Sequence, residues 1–215
     1  MFVLHQHTSI ANHFLAELRG VEIQQDRLRF RKNLERLGTL LAYELSKELN
    51  FHKAAVTTPL GEAPTRLLKD FPVLVTIMRA GLPFYQGFLE IFDQADSAFI
   101  GAFRGVPKPD QSFDIEMGYC ASPSLEGREI VLIDPMLATG KSLIKAYRTL
   151  VETHGQPAQT HIVAAVASEA GVAYIQDQVP KAKLWLGDID PELDAQSYIV
   201  PGLGDAGDLA FGGKS

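Results

Sequence analysis

A chain of 215 residues, with 46% hydrophobic and 21% charged side chains, can bury the core of one globular domain, and none of its apolar runs approaches the ~18 residues a membrane span needs. The formal net charge of -6 argues against nucleic acid as the main partner, because phosphate-backbone affinity needs a basic face; any anion site must be positive only locally. Cys120 is the only cysteine, so no intrachain disulfide can form, and the opening MFVLHQHTSIANH has neither a basic stretch nor an apolar core; both features predict a reducing, cytoplasmic setting.

Residues 8–50 read as helical, with Leu34, Leu37, Leu41 and Leu45 recurring at three- and four-residue steps as a core-facing stripe. Residues 51–70 carry Pro59, Gly61 and Pro64 between short β-prone pieces and predict a hairpin or excursion with no chemistry. Apolar runs follow at 73–78, 98–103, 130–133, 161–167 and 182–186, with helical patterns in most of the intervals. This alternation predicts an α/β fold with a mainly parallel central sheet flanked by helices on both faces. No internal repeat or interdomain linker interrupts it, so 1–215 reads as a single domain: a helical segment 1–50, a core sheet over 71–190 and a tail over 191–215.

Ligands on such sheets gather at the carboxyl ends of strands. The run 73–78 is followed by Arg79-Ala80-Gly81, a permanent cation and then residues small enough for a ligand to approach, and the run 98–103 by Arg104. The run 130–133 opens VLIDPMLATGKS (131–142), whose last letters resemble the end of a triphosphate P-loop. With Gly140 as the second glycine of that pattern, the first would fall on Pro135, which fixes φ and has no N–H, and Asp134 puts an anion where the phosphates would lie. The Walker reading fails on those two residues. What is left is a strand, a small glycine-bearing loop at 136–140, and a helix from Lys141 that closes at Gly155. Unpaired N–H groups at that helix start suit a monophosphate, and Asp134 beside them suits sugar hydroxyls. The same letters also fit an ordinary turn capped by Thr139 or Ser142. Two arginines, a carboxylate and a helix N-terminus on one edge suit a substrate bearing a sugar, a phosphate and a further polyanion.

The tail YIVPGLGDAGDLAFGG (198–213) holds five glycines and two aspartates but almost no side chain suited to acid–base work. Embedded Ile199, Val200, Leu203 and Phe211 predict an ordered loop whose backbone N–H and C=O groups match the edge of a flat heterocycle.

These segments together resemble a known family. IVLIDPMLATGKS is similar to the phosphoribosyl-pyrophosphate signature of type I phosphoribosyltransferases, and IMRAGL and YIVPGLGDAGD resemble the pyrophosphate-loop and base-binding segments of uracil phosphoribosyltransferases. LRFRKNLERLGTLLAYEL is similar to that family's N-terminal helix, so the resemblance spans nearly the whole chain. It implies the type I phosphoribosyltransferase fold and the conversion of uracil and 5-phospho-alpha-D-ribose 1-diphosphate (PRPP) to UMP and pyrophosphate in pyrimidine salvage. By that resemblance Asp134 binds the ribose hydroxyls, and Pro135, Met136, Leu137, Ala138, Thr139, Gly140, Lys141 and Ser142 hold the 5′-phosphate. Arg79 and Arg104 grip the pyrophosphate, Ile199, Gly204, Asp205 and Ala206 meet the uracil edge through the main chain, and Asp205 also lies near the ribose. Arg79 and Asp134 carry the transition-state and ribose positioning; no dedicated base is needed. Magnesium is implied on the diphosphate, without a protein ligand, as are a homodimer or higher homo-oligomer and GTP binding. Three departures stand out: Lys141 replaces a usual glycine, GVPKPDQSF after Arg104 replaces an acid-rich segment, and DLAFGG lacks the basic residue that commonly follows the second tail aspartate.

Two other classes remain. A phosphoribosyltransferase-like fold can serve as a non-catalytic regulator that senses nucleotides and binds RNA, which would call for a basic face. His5, His7 and His13 could be metal ligands, although no carboxylate or cysteine cluster accompanies them.

Overall fold

The computed structural model describes residues 1–104 and 115–213, with the backbone alone for 102–104 and 115–117. The chain opens on a short strand, β1 (Phe2–Val3), followed by α1 (Ala11–Arg19) and α2 (Arg27–Ser46). The helical stretch expected over 8–50 is therefore broken. Gly20 leaves α1 with extended backbone, and after one 3-10 turn the carboxylate of Asp26 caps α2 by accepting from the Arg29 N–H at 3.0 Å. Phe30, Leu34, Leu37, Leu41 and Leu45 line the buried face of α2.

The hairpin expected within 51–70 is β2 (Phe51–Thr58) paired with β3 (Gly61–Leu68), exposed along most of its length. The alternating region then gives β4 (Val73–Met78), α3 (Leu82–Ile91), β5 (Ser97–Arg104), β6 (Ile115–Ala121), β7 (Glu129–Ile133), β8 (Met136–Leu137), α4 (Lys141–His154), β9 (Gln159–Ser168), α5 (Glu169–Gln178) and β10 (Lys183–Asp190). The central sheet runs β1-β10-β9-β7-β4-β5-β6, with β8 added beside β9. All its pairings are parallel except β5 with β6. The tail is not one loop, as the sequence suggested. It holds β11 (Glu192–Leu193) paired with β12 (Ile199–Val200), a turn, and the short helix α6 (Ala206–Phe211).

Side chains alternate across the sheet and feed two cores. Val131 and Ile133 join α1, α2, α3 and α6 on one face, while Ile130 and Leu132 join α4 and α5 on the other. Both faces are covered, which is why the parallel strands read as unbroken apolar runs. On the first face Gly38 of α2 meets the backbone of α3 at Phe84, and Gly87 of α3 meets that of α2 at Glu35; a Cβ at either would clash, so the two helices cross at close range. The carboxyl edges of β4, β5, β7 and β9 lie side by side.

Candidate functional site at the carboxyl edge of the sheet

The edge is organised by Asp134, which follows the fully buried Ile133 of β7. Its N–H donates to the Val163 carbonyl at 3.1 Å, and the next carbonyl, that of Pro135, accepts from Ala165 and Val166 at 3.1 and 3.0 Å. The backbone is thereby fastened to β9, and only the side chain is free to act. Its carboxylate accepts one long bond, 3.4 Å from the Met136 N–H, while the residue, partly exposed at the edge, has its carboxyl group crowded by protein that removes much of its water. Desolvation therefore pushes its pKa up to about 7, against the weaker pull of the Met136 N–H. A carboxylate in this state gains more than a solvated one from any ligand hydroxyl that donates to it.

The loop after Asp134 divides in two. Pro135 and Leu137 are absorbed by the sheet, the first through its carbonyl and the second as a buried core side chain of β8. Ala138 to Ser142 lie at the start of α4. Gly140 precedes that helix with φ 74°, and no side chain caps it; Thr139 Oγ1 stands 3.4 Å from the Lys141 N–H, too long to count for much. The capped-turn alternative is not what forms. The first-turn N–H groups lack intrahelical acceptors, and Lys141 and Ser142 are exposed beside them. The loop is braced from behind by Ser168, whose Oγ donates to the Ala138 carbonyl at 2.7 Å and accepts from the Gly171 N–H at 2.9 Å. Gly171 is needed there because a Cβ would strike the Ala138 carbonyl. The arrangement is a braced loop leading into an uncapped helix N-terminus, which can accept an anion.

Arg79 leaves β4 on the same edge. Its Nη2 donates to Asp208 Oδ1 at 2.7 Å and to the Gly212 carbonyl at 2.8 Å, so the cation is joined to α6 in the tail. Its Nε is buried without a hydrogen-bond partner among the described residues. Gly81, expected to let a ligand approach, is small for an internal reason: a Cβ would strike Thr76 Oγ1 and crowd the Ile77 carbonyl. The side chain of Arg104, and the segment GVPKPDQSF after it, lie outside the described residues.

The tail residues reach the edge by two anchors. Ile199, Leu203, Ala206 and Ala210 are buried in the first-face core. Asp205, expected at the uracil edge and near the ribose, caps α6: its Oδ1 accepts from the Asp208 N–H at 3.0 Å. The cap is legible in the sequence, since Asp followed by Ala-Gly-Asp is an N-cap pattern. Gly204, with φ +93°, stands before it, so Gly204 to Ala206 turn the backbone at the start of α6. Sequence reasoning missed Ser168, which braces the loop, Asp208, which pairs with Arg79, and the Arg19–Asp190 pair. The signal for Ser168 was its place directly before a helix; the others act across more than a hundred residues. Among the described residues no group of three or more His, Cys, Asp or Glu side chains could hold a metal ion; His5 meets Asn12 and His7 stacks on Phe2.

Residues 4–213 match the family model for uracil phosphoribosyltransferase. The chain is 49% identical over 207 residues to a uracil phosphoribosyltransferase of Porphyromonas gingivalis, covering 96% of this chain and 95% of that protein. It is 37% identical over 201 residues to a uracil phosphoribosyltransferase of Pyrococcus furiosus, covering 92% and 84% of the two chains. Among solved structures it resembles the AQ2163 protein of Aquifex aeolicus, with a TM-score of 0.86 at 31% identity over 99% of this chain and 98% of that one. With the signature loop, the strand-edge arginine and the tail all inside the matched span, the chain belongs to the uracil phosphoribosyltransferase family.

Proposed function

We propose that the protein transfers the phosphoribosyl group of PRPP to N1 of uracil, releasing pyrophosphate and forming UMP. The observation that carries this reading is the junction of Arg79 with Asp208, which ties a strand-edge cation to the glycine-rich tail. Family membership supplies the identity of the base.

In this reading the 5′-phosphate sits in the cup of Ala138 to Ser142 and the ribose hydroxyls donate to Asp134. Arg79 and Arg104 take the pyrophosphate, and the peptides of Ile199 and of Gly204 to Ala206 face uracil. Bond breaking at the anomeric carbon develops positive charge on the sugar and negative charge on the departing diphosphate, so fixed donors facing the diphosphate favour the transition state. Asp134, already dehydrated, exchanges an unfavourable ionised state for two charge-assisted hydrogen bonds, which fixes the anomeric carbon in line with N1. Uracil N1 is acidic enough, once its carbonyls accept hydrogen bonds, to lose its proton to solvent water as the N1–C1′ bond forms and the bond to pyrophosphate breaks, without a dedicated base.

Magnesium belongs to the same proposal. Among the described residues no group of three or more His, Cys, Asp or Glu side chains could hold the ion, which fits a magnesium carried on the diphosphate. When bound it neutralises leaving-group charge. The homo-oligomer is likewise proposed, supported by a hairpin that leaves Phe51, Val56, Leu60 and Leu67 exposed. GTP binding rests on the family resemblance alone. A cytoplasmic setting is likewise proposed from membership of a metabolic enzyme family; among the described residues no helix is long and apolar enough to cross a membrane. Labelled uracil incubated with PRPP, magnesium and the protein should yield labelled UMP. No UMP under these conditions would refute the proposal and favour a non-catalytic regulator.

A further inference from the structure

We propose that Arg19 is a positioning residue for base recognition, acting through Asp190 on the Gly202 peptide. This deepens the proposed function and rests on it. Arg19 is the last residue of α1, far in sequence from everything it binds. Its Nη1 and Nη2 donate to Asp190 Oδ2 and Oδ1 at 2.7 and 2.8 Å, a two-point fork that admits one relative orientation. The same Nη1 donates to the Gly202 carbonyl at 2.9 Å, and Asp190 Oδ2 accepts from the Gly202 N–H at 2.9 Å. Arg19, Asp190 and Gly202 thus close a ring in which both polar groups of the Gly202 peptide are taken. A further bond, Nη2 to Asp188 Oδ2 at 2.9 Å, holds the guanidinium from the other side without touching the tail.

The ring grips the tail at its centre. Gly202 lies between Ile199 and Gly204, the two places where the tail is proposed to face the base. Its φ of +59° and the clash a Cβ would make with the Ile199 carbonyl show a tight turn that joins both segments as one piece. Moving Gly202 therefore moves the donors and acceptors on either side of it. Helix α1 does not need the ring to stay in place, because Ala11, Leu15 and Leu18 already bury it in the core. The side chain of Asp190 is only 6% exposed, so the ring is shielded from water and holds its geometry. A backbone reader gains specificity only if its peptides stay within a fraction of an ångström of their partners, and the ring supplies that constraint.

Three variants separate positioning from general stability. Arg19→Lys keeps the charge but loses the fork; Asp190→Asn sets an amide donor against an arginine donor inside the ring; Asp188→Asn breaks an ion pair of the same arginine outside it. Initial rates with uracil and PRPP, together with thermal unfolding, are measured for each and for the wild type. We expect Arg19→Lys and Asp190→Asn to raise the uracil KM about ten- to hundredfold, the cost of a misplaced partner, with the PRPP KM within about twofold. Asp188→Asn should leave both constants within about twofold, as loss of one partly exposed ion pair does. Equal effects of Asp188→Asn and Asp190→Asn, a parallel rise in both KM values, or failure of Asp190→Asn to fold would each overturn the proposal, because the network would then be a fold element. A wild-type protein that makes no UMP overturns the proposed function as well, which distinguishes the two failures.

Discussion

Replacing Asp134 with asparagine should stabilise the ligand-free protein at alkaline pH while impairing catalysis. The side chain keeps its shape and can still accept from the Met136 N–H, but the dehydrated charge is gone. The sign follows from the raised pKa. Between the ordinary carboxyl value of 3.8 and about 7, the native state holds a proton that the unfolded state has released. Wild-type stability therefore falls as pH rises through that window and levels off above it, whereas asparagine carries no such penalty. A shift from 3.8 to about 7 corresponds to ~4 kcal/mol as an upper bound, at ~1.4 kcal/mol per pH unit. Relaxation and water entry reduce this to about 2 kcal/mol, which for a chain of this size raises the Tm by roughly 4–8 °C at pH 8. Thermal unfolding of both proteins at pH 5, 6, 7 and 8 measures the difference directly, since the other titrating groups are shared. The gap should open as pH rises. A variant no more stable than wild type at pH 8, with a difference that does not change with pH, would refute the account of Asp134 as a dehydrated carboxylate.

Four further outcomes follow from the site. In turnover, Asp134→Asn should lower kcat/KM for PRPP roughly ten- to hundredfold by removing a charged acceptor, while uracil affinity barely changes; normal activity would leave the carboxylate with no ligand role. Cytosine would set its amino group against main-chain donors near Ala206, at ~1–3 kcal/mol per unpaired group, so kcat/KM values comparable to those for uracil would reject the backbone-reading tail. Gly140→Ala should be destabilised by ~1 kcal/mol or more and bind PRPP more weakly, because φ is 74° and the new Cβ would stand 3.0 Å from the Tyr174 ring; an unchanged PRPP KM would separate the cup from phosphate binding. Lys141→Gly should shift the PRPP KM by at most about tenfold, less in high salt, and neither protein should hydrolyse ATP or GTP; magnesium-dependent hydrolysis lost in the variant would restore the P-loop reading.

The parts of this fold that were legible are those encoded by neighbours in sequence. The run over 130–133, the small loop and the helix closing at Gly155 are a local strand-loop-helix pattern, and β7 and α4 follow it. β1 and β8 escaped because two-residue strands have no period to detect. The break between α1 and α2 was hidden by a leucine stripe strong enough to mask its punctuation at Gly20 and Asp26. Within the site, Asp134 and the cup were legible as a strand-end acid and a glycine loop, but the raised pKa was not, because it depends on how β9 and the loop close around the carboxyl group. The tail's order was legible in its embedded apolar residues; its helix was not, since Gly207 within six residues opposes any helical assignment until the Asp205 cap and the packing of Ala206 and Ala210 against the core outweigh it. Arg19 and Arg79 each act on partners more than a hundred residues away, and no spacing rule reaches that far.

The central claim is that one strand edge holds the phosphate, the ribose and the base of a single nucleotide. A crystal structure with UMP bound measures it most directly. The account requires phosphate oxygens about 2.7–3.2 Å from N–H groups within Thr139 to Ser142, ribose hydroxyls donating to Asp134, and the uracil edge facing peptides of Ile199 and Gly204 to Ala206. UMP bound elsewhere, or bound with its base turned away from the tail and its ribose away from Asp134, would contradict it.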